Sequence, residues 1–345
     1  MGNMTMKAAV VEPNGALIIR DIPIPAYGPY QALVKLVYGA TCGGTDQRIM
    51  DGGHPRPLPF PAILGHESVG RVLETGDRVR FLQAGDLISR VGAPPFPELG
   101  LHICWGGFAQ YGIATDWQAM EQDGIPPSEW EKARVQQVIP IDIDQRTAPM
   151  FITWRETLSY HNRLGIKAGD QVLIIGSGAN ALAFTCHCAY TGASAVVLGS
   201  TARAEQFRSA GAAAVIGYKD PAYEGALTAA CPRGIDHIID AIGVSGMVNS
   251  ALPFLNKNGQ IGVYGWHKRN DYGLDPFAAA ASFRVYCGGY DEAETHDQVI
   301  ARVREGVLRG DAFYDLDRPV PLANLASAYQ DLAQRKALKY LIDLS

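Results

Sequence analysis

The sequence predicts an α/β fold, with a doubly wound parallel sheet joined to a β-rich domain. Three observations point there. The apolar run Gln171-Val172-Leu173-Ile174-Ile175 leads straight into a glycine turn and a small-residue helix (Leu182 to Thr191), and a second apolar run, Ala195-Val196-Val197-Leu198, follows. From Met6 to about Val91 the chain instead carries short strand-like runs, separated by glycines and prolines. The chain has 345 residues, more than one core usually holds, so two domains are expected.

The glycine turn reads Gly176-Ser177-Gly178-Ala179-Asn180-Ala181. Gly176 permits the tight turn, and Gly178 lets the backbone approach a pyrophosphate. Ala181 replaces the third glycine and still allows close helix–strand packing. Free N–H groups at the helix start favour the negative charge. Strand, glycine turn, helix and strand within about 30 residues form the dinucleotide-binding unit. An acidic residue after the second strand would hold the ribose 2′-hydroxyl of NAD. Here the chain reads Gly199-Ser200-Thr201-Ala202-Arg203 instead. Ser200 and Thr201 can donate to a phosphate, and Arg203 can pair with it through its fork, which favours NADP(H). The bland readings are a plain strand–helix turn and a solvated Arg203.

Composition narrows the remaining classes. A net charge of −5 gives no basic surface for nucleic acid. No apolar run approaches the roughly 18 residues of a membrane span, and the start lacks a signal-peptide core. Cys42, Cys104, Cys186, Cys188, Cys231 and Cys287 are scattered, which is no disulfide framework. A reducing, cytoplasmic location is expected. Cys186-His187-Cys188 looks like a metal group, but residues two apart on a helix do not share a face. Buried thiols are expected there.

Two clusters carry chemistry in the β-rich part. One is Gly39-Ala40-Thr41-Cys42-Gly43-Gly44-Thr45-Asp46; the other is Gly65-His66-Glu67. A thiolate and an imidazole on separate loops suit zinc. Glu67 can be a ligand or a carboxylate behind one, and Asp46 can take the second imidazole N–H of His66 and fix its tautomer. Taken singly, Cys42 reads as a buried thiol and His66 as a satisfied core histidine.

The chain resembles the medium-chain dehydrogenase/reductase family, in its zinc-dependent alcohol and polyol dehydrogenase branch. The matching motifs are Cys42 with Thr45-Asp46, Gly65-His66-Glu67, Gly85-Asp86, and Gly106-Gly107-Phe108-Ala109-Gln110-Tyr111. They continue with Gly165 to Asp170, Gly176 to Ala181, Asp240-Ala241-Ile242-Gly243, and Asn258-Gly259-Gln260-Ile261 with Gly265. The resemblance implies a GroES-like catalytic domain from residues 1–150 and 290–345, and a Rossmann NADP-binding domain over 151–289. It implies one catalytic zinc, a small-molecule alcohol or ketone substrate, and a homodimer or homotetramer with Phe283 to Tyr286 at the interface. It places Ala241, Ile242 and Gly265 at the cofactor, with Trp266 and His267 near the nicotinamide end; His267-Lys268-Arg269 is a contact for NADPH or an anionic substrate, or a solvated loop.

Four departures shape the expectation. Gly43 and Gly44 both separate Cys42 from Thr45, the hydroxyl assigned to the substrate oxygen. Arg48 stands where a proton-relaying histidine is usual, and arginine cannot shuttle a proton. His102 and Cys104 are too few for the family's four-cysteine structural site, so no structural zinc is expected. The third catalytic ligand would fall near Phe151 or Ile152, neither able to bind metal. Glu156 lies one helical turn beyond Ile152. It is a candidate ligand, a carboxylate near the nicotinamide, or a solvated helix glutamate. Farther along, Asp116-Trp117 and Glu129-Trp130 line a cleft or simply pack, and Ser128 is a candidate cap of a short helix.

The reading is an NADP(H)-dependent zinc enzyme transferring hydride between the cofactor and a secondary alcohol, polyol or matching ketone. Cys42, His66, Glu67 and Glu156 are its candidate metal residues, with Thr45 on the substrate. The alternatives are a zinc-free NADPH reductase of quinones or enones on the same fold, and a non-catalytic NADPH-binding protein. Replacing Ser200 by Asp and Arg203 by Ala together is expected to shift preference from NADPH toward NADH. Unchanged relative Kd values for the two cofactors would remove the phosphate site from these residues.

Overall fold

The computed structural model describes residues 4–54, 57–265 and 272–345, and divides into two compact units. The first contains Met1–Ile152, His296–Arg304 and Arg309–Ser345; the second contains Thr153–Thr295 and Glu305–Leu308. Trp266, His267, Lys268 and Arg269 lie outside the described residues.

The first unit is β-rich. Its central strand, Gln31–Ala40, pairs antiparallel with Ser68–Thr75, Tyr111–Thr115 and Leu341–Asp343. Alternation along it is clear: Ala32, Val34 and Leu36 are buried, while Gln31, Leu33 and Lys35 are less so. A four-stranded sheet is built from Leu17–Pro23, Thr5–Val11, Ala62–Ile63 and His102–Ile103, in that spatial order. One core joins the two sheets through Val10, Leu36, Ile63, Leu64, Phe108 and the helix Leu325–Ala333.

The second unit is a six-stranded parallel sheet. We label Gln171–Ile175 β1, Ser194–Gly199 β2, Ala212–Gly217 β3, Ile235–Asp240 β4, Leu255–Val263 β5 and Phe283–Tyr286 β6. Their spatial order is β3-β2-β1-β4-β5-β6, the doubly wound order whose reversal beside β1 opens a crevice at the strand ends. β1 has all five residues buried, as a strand covered on both faces must. The helix after it, α1, spans Ala179–Thr191, three residues earlier than the sequence suggested, because Gly178 already serves as its N-cap. Thr201–Arg203 forms a short 3-10 turn before the helix Ala204–Ser209. The helical run expected from Asp297 to Leu308 is the helix His296–Arg304.

One local reading changes. The helix Pro127–Trp130 starts at a proline, with Pro126 as its N-cap and no side-chain cap, so Ser128 does not cap it. Proline already fixes the helical φ there and lacks the N–H that a cap would satisfy. Trp117 and Trp130 stack on each other, their ring centroids 6.0 Å apart. Cys186, His187 and Cys188 are buried in α1, where His187 Nε2 meets the Thr157 hydroxyl at 3.0 Å. Among the described residues no helix is long and apolar enough to cross a membrane.

One glycine fixes the loop that carries His66. Gly65 has φ +101°, and a Cβ there would lie 2.6 Å from the Phe108 amide nitrogen. Gly65→Ala is therefore expected to cost about 2–3 kcal/mol from backbone strain and overpacking, measured as a lower urea midpoint. An unchanged midpoint would show that this loop relaxes freely.

Candidate metal and cofactor sites

Cys42 follows the end of strand Gln31–Ala40, and Asp46 lies in the first turn of the helix Thr45–Met50. The backbone between them is closed on itself. The Cys42 N–H donates to Asp46 Oδ2 at 3.0 Å, and the Asp46 N–H donates to the Cys42 carbonyl at 3.2 Å. His66 and Glu67 lie just before the neighbouring strand, and the Ala40 N–H donates to the Glu67 carbonyl at 2.7 Å. Strand pairing therefore brings together two loops that are distant in sequence.

The side chains converge. Ligand atoms of Cys42, His66 and Glu67 all lie within 4.8 Å of one another. His66 Nδ1 is 3.1 Å from Asp46 Oδ1, while Nε2 is 3.6 Å from Glu67 Oε1. Asp46 thus accepts the Nδ1 proton and leaves Nε2 for a metal, the orienting role a carboxylate plays behind a ligating histidine. The Tyr329 hydroxyl also donates to Asp46 Oδ2. Arg90 Nη1 donates to the His66 carbonyl at 2.7 Å and pins the loop from outside.

Burial pushes the Cys42 thiol up, but His66 and Lys339 more than offset it and hold the thiol below its ordinary range. Only the thiolate binds metal. Burial likewise opposes the charged forms of Asp46 and His66. Their mutual attraction wins, keeping Asp46 below the usual carboxylate range and His66 well above the usual imidazole value.

Lys339 is a residue that the sequence alone does not single out. Its ammonium is 2.6 and 2.5 Å from the two Glu67 oxygens and 3.1 Å from the Thr41 carbonyl. Burial lowers its affinity for a proton and Glu67 raises it, with a net upward shift. Tyr340 N–H donates to Thr41 Oγ1 at 2.8 Å, so the segment bearing Lys339 is tied to the segment bearing Cys42. A lysine directly ahead of the apolar run Tyr340-Leu341-Ile342 was the one signal available in the sequence.

Thr45 is partly buried at the start of its helix, and its hydroxyl bonds no protein group among the described residues. Arg48 is partly buried in the same helix; desolvation lowers its pKa, and the nearby Cys42 partly counters this. Glu156 belongs to the second unit, on the helix Met150–Arg163. It is partly buried rather than solvated, and it accepts from the Tyr264 hydroxyl at 3.4 Å.

In the second unit the loops after β1, β2 and β4 come together at the place where a dinucleotide cradle is expected. Gly176 turns at φ +125°, and Gly178 starts α1, followed by Ala179, Asn180 and the buried Ala181. Ser200 N–H donates to Ser177 Oγ at 3.1 Å, joining the end of β2 to the glycine turn. Ser200 Oγ accepts from Ala202 N–H at 3.4 Å; Thr201 is exposed and Arg203 partly buried. Gly199 is held against Gly176, where a Cβ would fall 3.0 Å from the Gly176 carbonyl carbon. Buried Asp240 accepts from the amides of Ile242 and Gly243, both at 2.9 Å, and from the Tyr272 hydroxyl at 2.9 Å. Ala241 N–H donates to the Ile175 carbonyl at 3.0 Å. Gly265 abuts this loop so closely that a Cβ would sit 2.5 Å from the Ile242 nitrogen.

Comparison with known proteins identifies the family. Residues 28–125 match the alcohol dehydrogenase GroES-like domain, and residues 175–301 match the zinc-binding dehydrogenase domain. The chain is a medium-chain dehydrogenase/reductase of the zinc-dependent alcohol and polyol dehydrogenase branch. Its architecture is the GroES-like domain plus the Rossmann-type domain of that family, whose members are oxidoreductases acting on CH–OH groups.

Among its relatives is a probable zinc-binding alcohol dehydrogenase of Mycobacterium tuberculosis, 28% identical over 80% of this chain and 71% of that protein. Another is the sorbitol dehydrogenase of Bacillus subtilis, 24% identical over 88% and 87%. Among solved structures, benzyl alcohol dehydrogenase from Acinetobacter calcoaceticus superposes with a TM-score of 0.83 at 17% identity, over 99% and 100% of the two chains. A structure described as a zinc-binding dehydrogenase of Sinorhizobium meliloti bound to NADP gives 0.79 at 23%, over 99% of each. At these identities the two structures speak for the fold.

Lys339→Met is expected to leave Glu67 as a buried, uncompensated carboxylate and to destabilise the metal-free protein by about 3 kcal/mol in urea unfolding, with Lys339→Arg recovering part of the loss. Equal stability of wild type and Lys339→Met would show that Glu67 does not need the ammonium.

Proposed function

We propose that the chain is an NADP(H)-dependent, zinc-dependent dehydrogenase of a secondary alcohol or polyol, working also as the reductase of the matching ketone. The observation that carries this reading is the convergence of Cys42, His66 and Glu67 within 4.8 Å, with His66 and Glu67 buried and Cys42 half-buried. The donor set fits a catalytic zinc: a sulfur, an imidazole nitrogen already oriented by Asp46, and a carboxylate. Zinc held there supplies a Lewis acid to the substrate oxygen and lowers its pKa.

The protein's own groups do the rest. Thr45, with its free hydroxyl, is assigned to hydrogen-bond the substrate oxygen and pass on its proton. Arg48 keeps its charge and takes no part in that transfer. Glu156 is assigned as a further metal ligand or as a carboxylate near the nicotinamide. Gly176, Gly178, Ala179, Asn180 and Ala181 are assigned to the pyrophosphate, and Ser200, Thr201 and Arg203 to the 2′-phosphate beside Gly199. Ala241, Ile242 and Gly265 complete the cofactor cradle. NADP(H) supplies the hydride chemistry, and the protein holds it in place. The NADP-bound neighbour supports the cofactor assignment, and the sorbitol dehydrogenase relative supports the substrate class. A homodimer or homotetramer, with edge strand β6 at the interface, and a cytoplasmic location complete the proposal.

One observation favours a second reading, the zinc-free reductase of quinones or enones. Lys339 contacts both Glu67 oxygens, which satisfies that carboxylate without a metal.

Elemental analysis of protein purified without added metal separates the two. About one zinc per subunit is expected in the wild type and far less in Cys42→Ser. Loss in Glu156→Ala as well makes Glu156 a ligand; retention leaves it near the nicotinamide. A wild type that takes up no zinc even on reconstitution, yet reduces quinones with NADPH, would overturn the zinc reading.

A further inference from the structure

Trp105 combines features that neither packing nor turn-making requires. Its backbone has φ +67°, a left-handed conformation that bulky side chains rarely adopt. Its side chain is 43% exposed. Its ring lies beside the candidate metal ligand His66, with centroids 5.2 Å apart and planes at 52°. Among the described residues its indole N–H has no acceptor, whereas the indole of Trp130 donates to the Ile125 carbonyl at 2.8 Å.

The backbone holds this ring in place. Cys104 N–H donates to the Ile63 carbonyl at 2.7 Å, Ala93 N–H to the Gly106 carbonyl at 2.9 Å, and Gly107 N–H to the Gly65 carbonyl at 2.7 Å. Gly106 continues the turn at φ +75°, and a Cβ there would lie 2.9 Å from the Ala93 nitrogen. The turn is therefore stitched to the segment that leads into His66 and to Ala93. Glycine would make this turn without strain, and a core residue would bury its ring. Strain kept at an exposed aromatic beside a reacting centre points to a ligand contact.

Resting on the dehydrogenase reading above, we propose that Trp105 is a substrate-contacting specificity residue whose indole face selects alcohols bearing a planar ring on or next to the carbinol carbon. A flat ring stacks on indole at the offset distances aromatic pairs prefer, and it loses fewer rotamers than an open chain of the same size.

The test compares 1-phenylethanol with 2-octanol, secondary alcohols of equal carbon number, in zinc-loaded enzyme with cofactor. The wild type is expected to favour the aryl alcohol in kcat/KM. Trp105→Gly is expected to lower that ratio about tenfold, mostly through KM, while its urea midpoint stays level or rises because the strain is relieved. Trp105→Phe keeps a ring and is expected to retain most of the preference. In the wild type, benzamide is expected to quench the part of the tryptophan emission that Trp105→Phe lacks. An unchanged ratio, an equal fall for both alcohols, a lower urea midpoint in Trp105→Gly or no quenching would each overturn the assignment. Turnover of 2-octanol without aryl preference in the wild type would overturn it and leave the dehydrogenase reading standing. Failure to oxidise either alcohol with either nicotinamide cofactor would overturn both.

Discussion

Asp46 has no exposed surface, and its carboxylate accepts at once from the His66 imidazole, the Cys42 amide and the Tyr329 hydroxyl. A buried carboxylate is tolerable only with partners of this kind. Each partner in turn gains a fixed position. His66 has its tautomer chosen, Cys42 is held at the start of its turn, and the helix Leu325–Ala333 is tied to the site through Tyr329. The geometry of the candidate metal-binding group follows from one acceptor that does not itself belong to that group.

A second buried carboxylate sits beside the first and needs a different solution. Glu67 is matched by Lys339, so the neighbourhood holds two acid–base pairs rather than two stranded anions. Pairs of this sort add little stability compared with apolar packing, yet they are costly to break from one side. Their value here is positional. Lys339 holds Glu67 beside the His66 Nε2 atom, and the Thr41 carbonyl holds Lys339.

Much of this was legible in the sequence, for local reasons. The glycine turn after β1 and the missing carboxylate after β2 are contiguous patterns, and each maps onto a single strand end. Cys42, Asp46, His66 and Glu67 were readable because motif spacing within each loop is short. Lys339 and Tyr329 were not, since their partners lie more than 250 positions away and neither residue departs from an ordinary strand or helix pattern. Trp105 was hidden for another reason. Sequence patterns assign positive φ to glycine, and here the turn begins one residue before Gly106. Ser128 failed as a cap because the proline before it had already started the helix.

The pairing of Glu67 with Lys339 also orders events during synthesis. The two residues are 272 positions apart, and chains emerge N-terminus first at about 5–20 residues per second. Cys42, His66 and Glu67 therefore leave the ribosome well before the cation that neutralises Glu67. Until Lys339 arrives, the strand Gln31–Ala40 also lacks its neighbour Leu341–Asp343, and the carboxylate must stay in contact with water. The candidate metal-binding group is thus built early in sequence and closed late in time, and the interval leaves its thiol and imidazole accessible to ions before the core seals around them.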